Sequence, residues 1–357
     1  MFLNGKWPLT PVIIVSYRTA DDVANCLTFL DALHAEPDIS VHICENGGAS
    51  AWDDLCAALL RPGGPCVSAE DVSRPFRRSF NRIACLRLRQ SGRIVLVGEA
   101  PENLGYAGGM NAWLSPLTEL LGWRGCWILN PDNLVAPDTL TALTVQASNR
   151  ELGIVGSRIM ATPTATLVLT RGLRWRRILA SPCAVDRGTP ANVEPSPEEI
   201  EARLDAPSGG SCYLTRPCLE ALLPFDERYF LFMEDLDWGV RARRAGYRIG
   251  HAHGSLVIDG GGTSTGATRS SSGSIGSPLA IYLEFRNRVL FVRTHYHRWL
   301  LWSGLVGCLH ALRLLPRGGF GPAIRGLLAG LKGETGRPDW LIAQHHVPGT
   351  NNDLPSP

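Results

Sequence analysis

The sequence lacks the patterns that mark several common classes of protein. Its ten cysteines are scattered, and they form neither a CxxC pair nor a Cys–His spacing of the kind that binds zinc. No basic segment precedes the first apolar run, so a secretory signal is not indicated. The net charge is only +2, which requires no nucleic-acid partner. We therefore expect a folded protein of the reducing cytoplasm that does not bind nucleic acid.

Two familiar phosphate-binding fingerprints are also missing, although a glycine-rich loop is present. Residues 102–111 (ENLGYAGGMN) contain neither a Walker GK[ST] nor a GxGxxG motif, and they open a predicted helix that ends at Leu121. Glycines let backbone amides approach a phosphate, and a helix N-terminus favours an anion. The loop is therefore a candidate anion site of a different type.

The sequence does contain an alternation of short β-branched runs and amphipathic segments. The runs predict strands at Pro11–Tyr17, Ile39–Cys44, Arg93–Gly98, Cys126–Leu129, Gly153–Arg158 and Gly209–Leu214. The amphipathic segments predict helices that include Thr19–Leu33 and Pro137–Asn149. This order is typical of an α/β fold, in which ligands bind at the carboxyl ends of the strands.

Polar and irregular stretches separate these elements. Four polar residues follow the first two strands, where they either contact a nucleotide or form ordinary turns. These residues are Tyr17, Arg18, Glu45 and Asn46. Residues 61–92 are rich in Pro, Gly and Arg, and we predict an irregular insertion there. Residues 161–206 have weak periodicity and predict a mobile excursion that covers a site or meets an acceptor.

The densest carboxylate cluster lies between bulky apolar residues and a basic run. Tyr229–Phe232 precede Glu234, Asp235 and Asp237, and Arg241 follows one turn later. Apolar neighbours dehydrate a carboxylate and raise its pKa, which suits a general base. The cluster is equally typical of a helix N-terminus, with Asp237 and Arg241 as an i,i+4 ion pair. The residues alone leave both interpretations open.

Another carboxylate follows the predicted strand Cys126–Leu129, in the sequence Asn130-Pro131-Asp132-Asn133. An Asp at a strand end beside a glycine-rich loop can hold a divalent cation that in turn holds a diphosphate. Asn, Pro and Asp are also typical of a simple turn. A cation site and a plain turn are both compatible with this stretch.

The C-terminal region is predicted to be helical. A helix at Leu279–His297 is followed by the uncharged, apolar segment Trp299–Leu312, which has arginines at both ends. A segment of about 14 residues is too short to cross a bilayer. It either packs on the rest of the protein or lies at the surface of an anionic membrane. Residues 346–357 predict a disordered tail.

Together these stretches resemble the inverting family 2 glycosyltransferases with a GT-A fold, especially their bacterial rhamnosyltransferase-like branch. Seven matching stretches follow the family's order between residues 11 and 295: VIIVSYRT, CENGG, ENLGYAGGMNAWL, WILNPDN, GGSCYLTR, FDERYFLFMEDLDWGVRARRAGYRI and YLEFRNRVLF. The resemblance implies an α/β fold with a Rossmann-like, mostly parallel sheet flanked by helices and a C-terminal helical extension. It implies a GT-A domain at 1–278, with a nucleotide-binding half at 1–135 and an acceptor half at 136–278, and a helical region at 279–345.

The resemblance also implies roles for individual residues. Asp235 falls where the family has its general base, and Glu234 beside it would position the acceptor. Asp132 falls on the family's metal motif, as a ligand of Mg²⁺ or Mn²⁺. The residues implied to bind the nucleotide sugar are Ser16, Tyr17, Arg18, Glu45, Asn46, Asn103, Gly105, Tyr106, Gly108, Gly109, Asn111, Asn130, Asp132 and Gly210.

Two positions depart from the family pattern. Asn130 replaces the first acidic residue of the metal motif, and Asp259 stands where many relatives have a His before a Gly-Gly-x-Ser stretch. Asp259 can replace that His as a hard oxygen ligand. We therefore expect a metal site on Asp132 and Asp259.

The expected function is inverting transfer of a sugar from a dTDP- or UDP-sugar, dTDP-rhamnose among them. The acceptor would be a hydroxyl of a glycan, a lipid-linked glycan or a small molecule. The alternative is a noncatalytic homologue that binds a nucleotide sugar or glycan as a partner subunit, an idea favoured by the change at Asp259. We expect a cytoplasmic location, with peripheral contact with the cytoplasmic face of the inner membrane as the second option.

Overall fold

The computed structural model describes residues 7, 9–34, 38–260 and 276–344. These residues form thirteen strands: β1 (Thr10–Ser16), β2 (Ile39–Glu45), β3 (Cys66–Ser68), β4 (Arg82–Leu88), β5 (Ile94–Glu99), β6 (Gly125–Leu129), β7 (Asn133–Val135), β8 (Leu152–Met160), β9 (Val168–Thr170), β10 (Leu173–Arg176), β11 (Ser181–Ala184), β12 (Ser211–Thr215) and β13 (Arg248–Asp259). They also form eleven α-helices: α1 (Ala20–Asp31), α2 (Ala49–Leu60), α3 (Gly105–Thr118), α4 (Thr139–Asn149), α5 (Pro197–Arg203), α6 (Arg216–Leu222), α7 (Glu234–Arg244), α8 (Pro278–His295), α9 (Leu300–Leu312), α10 (Phe320–Lys332) and α11 (Asp339–Gln344). The predicted tail and the glycine-rich residues 261–264 lie outside the described part.

Eleven of the strands form one mixed sheet, in the order β3-β4-β5-β2-β1-β6-β12-β8-β13-β7, with β9 paired to β8. The strands β5, β2, β1 and β6 are parallel neighbours, as are β8 and β13. Strand β12 runs antiparallel between β6 and β8 and joins the two parallel groups. Seven of the eleven strands share one direction, which confirms the predicted mostly parallel sheet.

Helices cover both faces of this sheet, so its central strands are buried on two sides. Val12 and Ile14 of β1 pack in one apolar cluster with α1, α2 and α4. Ile13, between them, points the other way and packs with α3, α6 and α7. Burial on both faces explains why the central strands are nearly continuous apolar runs. Polar side chains are then concentrated at the strand ends, which is where a site can form.

Residues 61–92 are not the irregular insertion that their composition predicted. Strand β4 pairs antiparallel with β5, and β3 pairs with β4, so the segment extends the sheet. Leu86 and Leu88 are buried in the core, with the half-buried Arg87 between them. This alternation is typical of a strand, but the many charged residues of the segment obscured it. The helix α2 was also not predicted.

Residues 161–206, which were predicted to be a mobile excursion, contain three short strands and the helix α5. Strand β9 extends the main sheet, and β10 pairs with β11 in a separate two-stranded sheet. The buried Arg171 lies 3.3 Å from Asp186, and Arg203 forms a second ion pair with the same carboxylate. Arg171 also lies 3.0 Å from the ring nitrogen Nδ1 of His253. Contacts across the fold, and not a local periodicity, therefore organise this segment.

The C-terminal helices pack against one another and against α7. Leu290 and Phe291 of α8 contact the cluster that contains Leu236, and Phe285 and Val289 pack with α10 on the other side. No helix in the described part of the chain is long and apolar enough to cross a membrane. The division between domains at residue 278 stays a prediction.

Candidate active site

A cavity of about 550 Å³ opens where the carboxyl ends of the central strands meet the start of α7. Most of the residues predicted for the site line this cavity, although they are far apart in the sequence. They are Ser16, Tyr17, Asn46, Asn103, Gly105, Tyr106, Asn130, Asp132, Gly210, Glu234, Asp235 and Asp259. The fold therefore brings together twelve of the seventeen predicted site residues.

One wall of the cavity carries the two carboxylates that were predicted to hold a metal. Pairing of β13 with β7 sets Asp259 opposite Asn133, directly after Asp132 in the chain. The backbone N–H of Gly260 donates to the carbonyl oxygen of Asp132 at 3.0 Å. The end of β13 and the Asn130–Asn133 turn are thus held side by side. Among the described residues, no three His, Cys, Asp or Glu side chains cluster as a metal site.

Asp235 lies in the first turn of α7, with its carboxylate bound to two backbone amides. Oδ1 accepts a hydrogen bond from the N–H of Leu236 at 2.8 Å, and Oδ2 accepts one from Gly209 at 3.3 Å. Burial raises the pKa of this carboxyl, while the two amides act in the opposite direction. The result is a weakly hydrated carboxylate of raised basicity on the cavity wall.

Glu234, the neighbour of Asp235, has a different environment. It is buried on the cavity wall, and its Oε2 atom has no hydrogen-bond partner in the described structure. Burial and the adjacent charge of Asp235 both raise the pKa of this carboxyl. Burial and the unpaired Oε2 atom favour the protonated form of this carboxyl, which can donate a hydrogen bond.

A strained turn positions both acidic residues. Phe230, Phe232 and Met233 have positive φ angles of 64°, 72° and 76°, which bulky residues rarely adopt. The side-chain amide of Asn287, on α8, lies within 2.7–3.0 Å of the carbonyl oxygens of residues 229, 231 and 232. Arg286 donates to the carbonyl of residue 229 at 2.9 Å. Two buried polar residues of α8 therefore hold the turn in its strained form.

Asp237 fixes α7 to the rest of the fold. Its carboxylate lies 3.4 Å from Arg241, so the predicted i,i+4 contact is present. It also lies 2.7 Å from Nε2 of His295, at the end of α8, and both side chains are buried. Because α7 does begin at Glu234, the helix N-terminus and the cavity wall are properties of the same residues.

The loop at residues 208–210 contacts both the Asn130–Asn133 turn and Asp235 at the start of α7. The Tyr106 hydroxyl lies 2.9 Å from Oδ1 of Asn130 and 2.8 Å from the carbonyl oxygen of Gly209. The N–H of Asn130 donates to the carbonyl of Gly210 at 2.9 Å. Since Gly209 also donates to Asp235, any displacement of this loop changes the Asp132 turn and the start of α7 together.

Five predicted residues do not line the cavity. Their hydrogen bonds and packing contacts are with other parts of the protein, in or beside the cavity wall. Glu45 accepts hydrogen bonds from the N–H groups of Arg18 and Gly47, at 3.0 and 2.8 Å. Asn111 binds the backbone of residue 225 with both ends of its amide. Gly108 and Gly109 pack closely on neighbouring side chains. Arg18 itself lines a separate recess. Direct contact of these five residues with the nucleotide sugar stays a prediction.

The cavity and its support also use residues that the sequence patterns did not indicate. Arg187 carries the sole basic side chain among the described residues of the cavity wall, and it forms no ion pair with a described carboxylate. No local pattern indicated it, because its position depends on how 161–206 folds. Arg286 and Asn287 were detectable in principle. They are polar residues inside an otherwise apolar helical run, a pattern that often indicates buried hydrogen bonds.

Comparison with known proteins gives relatives of one activity class. No family model matches the sequence. A low-salt glycan biosynthesis hexosyltransferase from Haloferax volcanii is 24% identical over 250 residues, which span 66% of this chain and 76% of the relative. An N-acetylglucosaminyl-diphospho-decaprenol L-rhamnosyltransferase from Mycobacterium tuberculosis is 26% identical over 271 residues, 72% of this chain and 77% of the relative.

Solved structures agree on the fold. The crystal structure of GalNAc-T7 with UDP, GalNAc and Mn²⁺ superposes with a TM-score of 0.51 at 12% identity. The match covers 94% of this chain and 57% of that one, so the chain spans little more than half of that protein. This likeness concerns the fold, and it confirms the predicted GT-A architecture. With the curated relatives, it identifies the chain as a glycosyltransferase of GT-A fold that resembles the rhamnosyltransferase-like branch of family 2.

Proposed function

We propose that this enzyme transfers a sugar from a nucleoside diphosphate donor to an acceptor hydroxyl, with inversion at the anomeric carbon. The observation that supports the proposal is one cavity that contains both the Asp132–Asp259 wall and the Asp235 carboxylate. The leaving diphosphate gains negative charge that must be neutralised, whereas the acceptor hydroxyl must give its proton to a base. The reaction therefore needs two different groups at separate positions in one cavity. The relatives named as a hexosyltransferase and an L-rhamnosyltransferase support a hexose or deoxyhexose donor, and dTDP-rhamnose is the donor to test first.

The donor would lie against the Asp132–Asp259 wall. Carboxylate oxygens are the ligands that Mg²⁺ and Mn²⁺ prefer, so the side chains present fit either ion. Held by Asp132 and Asp259, a divalent cation would supply charge neutralisation for the leaving diphosphate. The nearby Tyr17, Asn46 and Asn103 would orient the nucleoside and its phosphates.

Asp235 would act as the general base. Its half-buried carboxylate would accept the proton of the acceptor hydroxyl while the new bond forms at the anomeric carbon. Hydrogen bonds from Gly209 and Leu236 hold the carboxylate in one orientation. Attack on the face opposite the leaving diphosphate inverts the anomeric centre. Since ionised Asp235 is needed, activity should fall as pH drops through its raised pKa.

Glu234 and Arg187 would position the acceptor. A protonated Glu234 can donate its unpartnered O–H to a sugar oxygen beside the reacting hydroxyl. Arg187 offers a positive charge on the wall formed by 161–206, which suits an acceptor that carries phosphate. The acceptor named for the Mycobacterium tuberculosis relative is N-acetylglucosaminyl-diphospho-decaprenol. We therefore place a lipid-linked glycan first among the acceptor classes.

The test is to compare Asp235→Asn with the wild-type enzyme in a screen of dTDP- and UDP-sugars against an N-acetylglucosaminyl-diphospho-lipid acceptor, with and without Mn²⁺. The variant should lose transfer by at least about 100-fold, because the amide cannot accept the proton. Binding of the donor, followed by calorimetry, should stay within about twofold, because Asp235 does not hold the donor. Asp138→Asn, at an exposed carboxylate, is the matched control.

Full transfer by Asp235→Asn would refute the assignment. Saturable donor binding by the wild type, without transfer to any acceptor, would instead support a noncatalytic homologue.

A further inference from the structure

The helix α9 exposes apolar side chains along one side. Leu301, Leu305, Leu309 and Leu312 recur at helical spacing and are all exposed, and Leu301 is 89% accessible. The opposite side of the helix, at Val306 for example, packs on the core of the protein. An exposed row of leucines on a short helix is unfavourable in water unless something covers it.

A second element extends this exposed row. The turn between β10 and β11 exposes Ile178 and Leu179, and Ile178 is 67% accessible. The indole N–H of Trp302, on α9, donates to the carbonyl oxygen of Ile178 at 2.8 Å. The turn and the helix are therefore directly bonded. We call the exposed residues 178, 179, 301, 302, 305, 309 and 312 the apolar face.

Basic residues surround the apolar face, and acidic residues are absent from the segments that form it. Residues 285–333 contain seven arginines and one lysine but no Asp or Glu. Residues 152–185 contain five arginines and again no Asp or Glu. The whole chain has a net charge of only +2, so the remainder is acidic overall. Five arginines beside the apolar face are exposed: Arg176, Arg177, Arg298, Arg313 and Arg317.

We propose that the apolar face docks on an anionic phospholipid bilayer, with α9 lying in the plane of the interface. Leucine, isoleucine and tryptophan side chains would enter the acyl boundary, and the surrounding arginines would bind lipid phosphates. A second copy of the chain is a poorer occupant, because it would bring an identical ring of arginines against the first.

The docking surface also bears on the acceptor, and this step rests on the proposed function. Strands β10 and β11, whose turn belongs to the apolar face, also supply Leu173 and Ala184 to the cavity wall. One hairpin therefore extends from the docking surface to the site. Docking in this way would bring the cavity within reach of an acceptor whose lipid tail stays in the membrane.

Co-sedimentation of the full chain with vesicles tests the docking. Vesicles of phosphatidylcholine with roughly one third phosphatidylglycerol should bind at least about tenfold more strongly than phosphatidylcholine alone, and concentrated NaCl should remove the difference. The double variant Leu305→Asp/Leu309→Asp should bind at least about tenfold more weakly, because it places charge in the acyl boundary. Val145→Asp, at an exposed position on α4, is the matched control and should bind like the wild type.

A second measurement reports on the same surface without a charge substitution. Cys308 is the exposed cysteine of α9, so an environment-sensitive fluorophore attached there should shift to the blue on anionic vesicles. Equal binding to neutral and anionic vesicles, or undiminished binding by a folded Leu305→Asp/Leu309→Asp variant, would overturn the proposal. The proposal would also be overturned by a different pair of results. The wild type would form a dimer in light scattering and fail to bind vesicles, and the double variant would be monomeric. Because vesicle binding needs no substrate, it separates this proposal from a failure of the transfer assay.

Discussion

The consecutive helices α8 and α9 place their side chains in opposite ways. Helix α8 buries Arg286 and Asn287 almost completely, whereas α9 exposes Leu301 and its neighbours. The buried polar pair is satisfied by carbonyl groups of the strained turn before α7. The exposed leucines have no such counterpart within the described chain. The buried side of this region therefore supports the turn that carries the acidic residues, and the exposed side carries the apolar face for which we propose membrane docking.

The largest expected effect comes from removing the support that α8 gives to the turn. Asn287→Ala leaves buried carbonyl groups without donors, which should cost about 2 kcal/mol or more of unfolding free energy. The turn should then relax and displace Asp235, lowering kcat by at least about 100-fold. Urea denaturation and steady-state kinetics measure the two effects.

The contrast between kcat and donor affinity distinguishes positioning from general damage. Donor affinity should fall by much less than kcat in Asn287→Ala, because the displaced Asp235 contacts the Asp132 turn indirectly, through Gly209 and Tyr106. Asn149→Ala, at an exposed asparagine at the end of α4, is the control and should change neither quantity. Equal losses of donor affinity and kcat would show that Asn287 serves only the stability of the fold.

A smaller effect on activity is expected from Arg187, where residues 161–206 contribute to the cavity wall. Arg187→Gln should raise KM about tenfold for an acceptor that carries a diphosphate, because one charge-assisted hydrogen bond is lost. A phosphate-free analogue of the acceptor should be unaffected. Arg174→Gln, on the neighbouring strand β10, is the control at an exposed arginine. If KM rises equally for both acceptors, Arg187 does not recognise phosphate.

Glu234 is a third buried polar residue of this region, and unlike Asn287 it has an atom, Oε2, without a hydrogen-bond partner among the described residues. Its pKa is raised in the folded state, so the stability that it contributes is present below the unfolded pKa and is lost as pH rises through the folded value. Glu234→Gln removes this titration. The variant should therefore gain a few degrees in Tm relative to the wild type near pH 8.5, and less near pH 5.

Thermal denaturation at the two pH values measures this difference, with Glu70→Gln at an exposed position as the control. A gain in Tm that is the same at both pH values would mean that Glu234 does not titrate between them.

The smallest effect on stability is expected on the outer side of α9. Leu301→Asp should change the unfolding free energy by no more than about 0.5 kcal/mol, since the side chain is exposed and removes no packing. Thermal denaturation of the variant and of Leu301→Ala measures it. A large loss of stability would show that Leu301 is packed in solution, for example in a dimer, and would remove the contrast with α8.

The order of elements in the nucleotide-binding half was predictable because its strands are buried on both faces. Runs such as Pro11–Tyr17 have no polar residue until the strand ends, so both the strand and the position of the site follow from one pattern. Strand β4 was not predictable in the same way. Its arginines and half-buried positions leave a weak alternation, and its pairing with β5 is what makes it a strand.

The candidate site shows the same division. Asp132, Asp235 and Glu234 were identified from short motifs, and the fold places them in one cavity. Arg187 was not identified, because residues 161–206 have no periodicity that predicts where a side chain will point. The role of Asn287 was missed because its partners are carbonyl groups of a turn more than fifty residues away.

Local spacing and residue chemistry were enough to predict the α/β order of this protein, its cluster of acidic residues and the apolar character of α9. The packing of the whole chain was needed to show that Arg187 lies on the cavity wall, that Asn287 holds the strained turn, and that the β10–β11 turn contacts α9. Each of these depends on residues distant in the chain. Such contacts arise from packing, which local propensity does not specify.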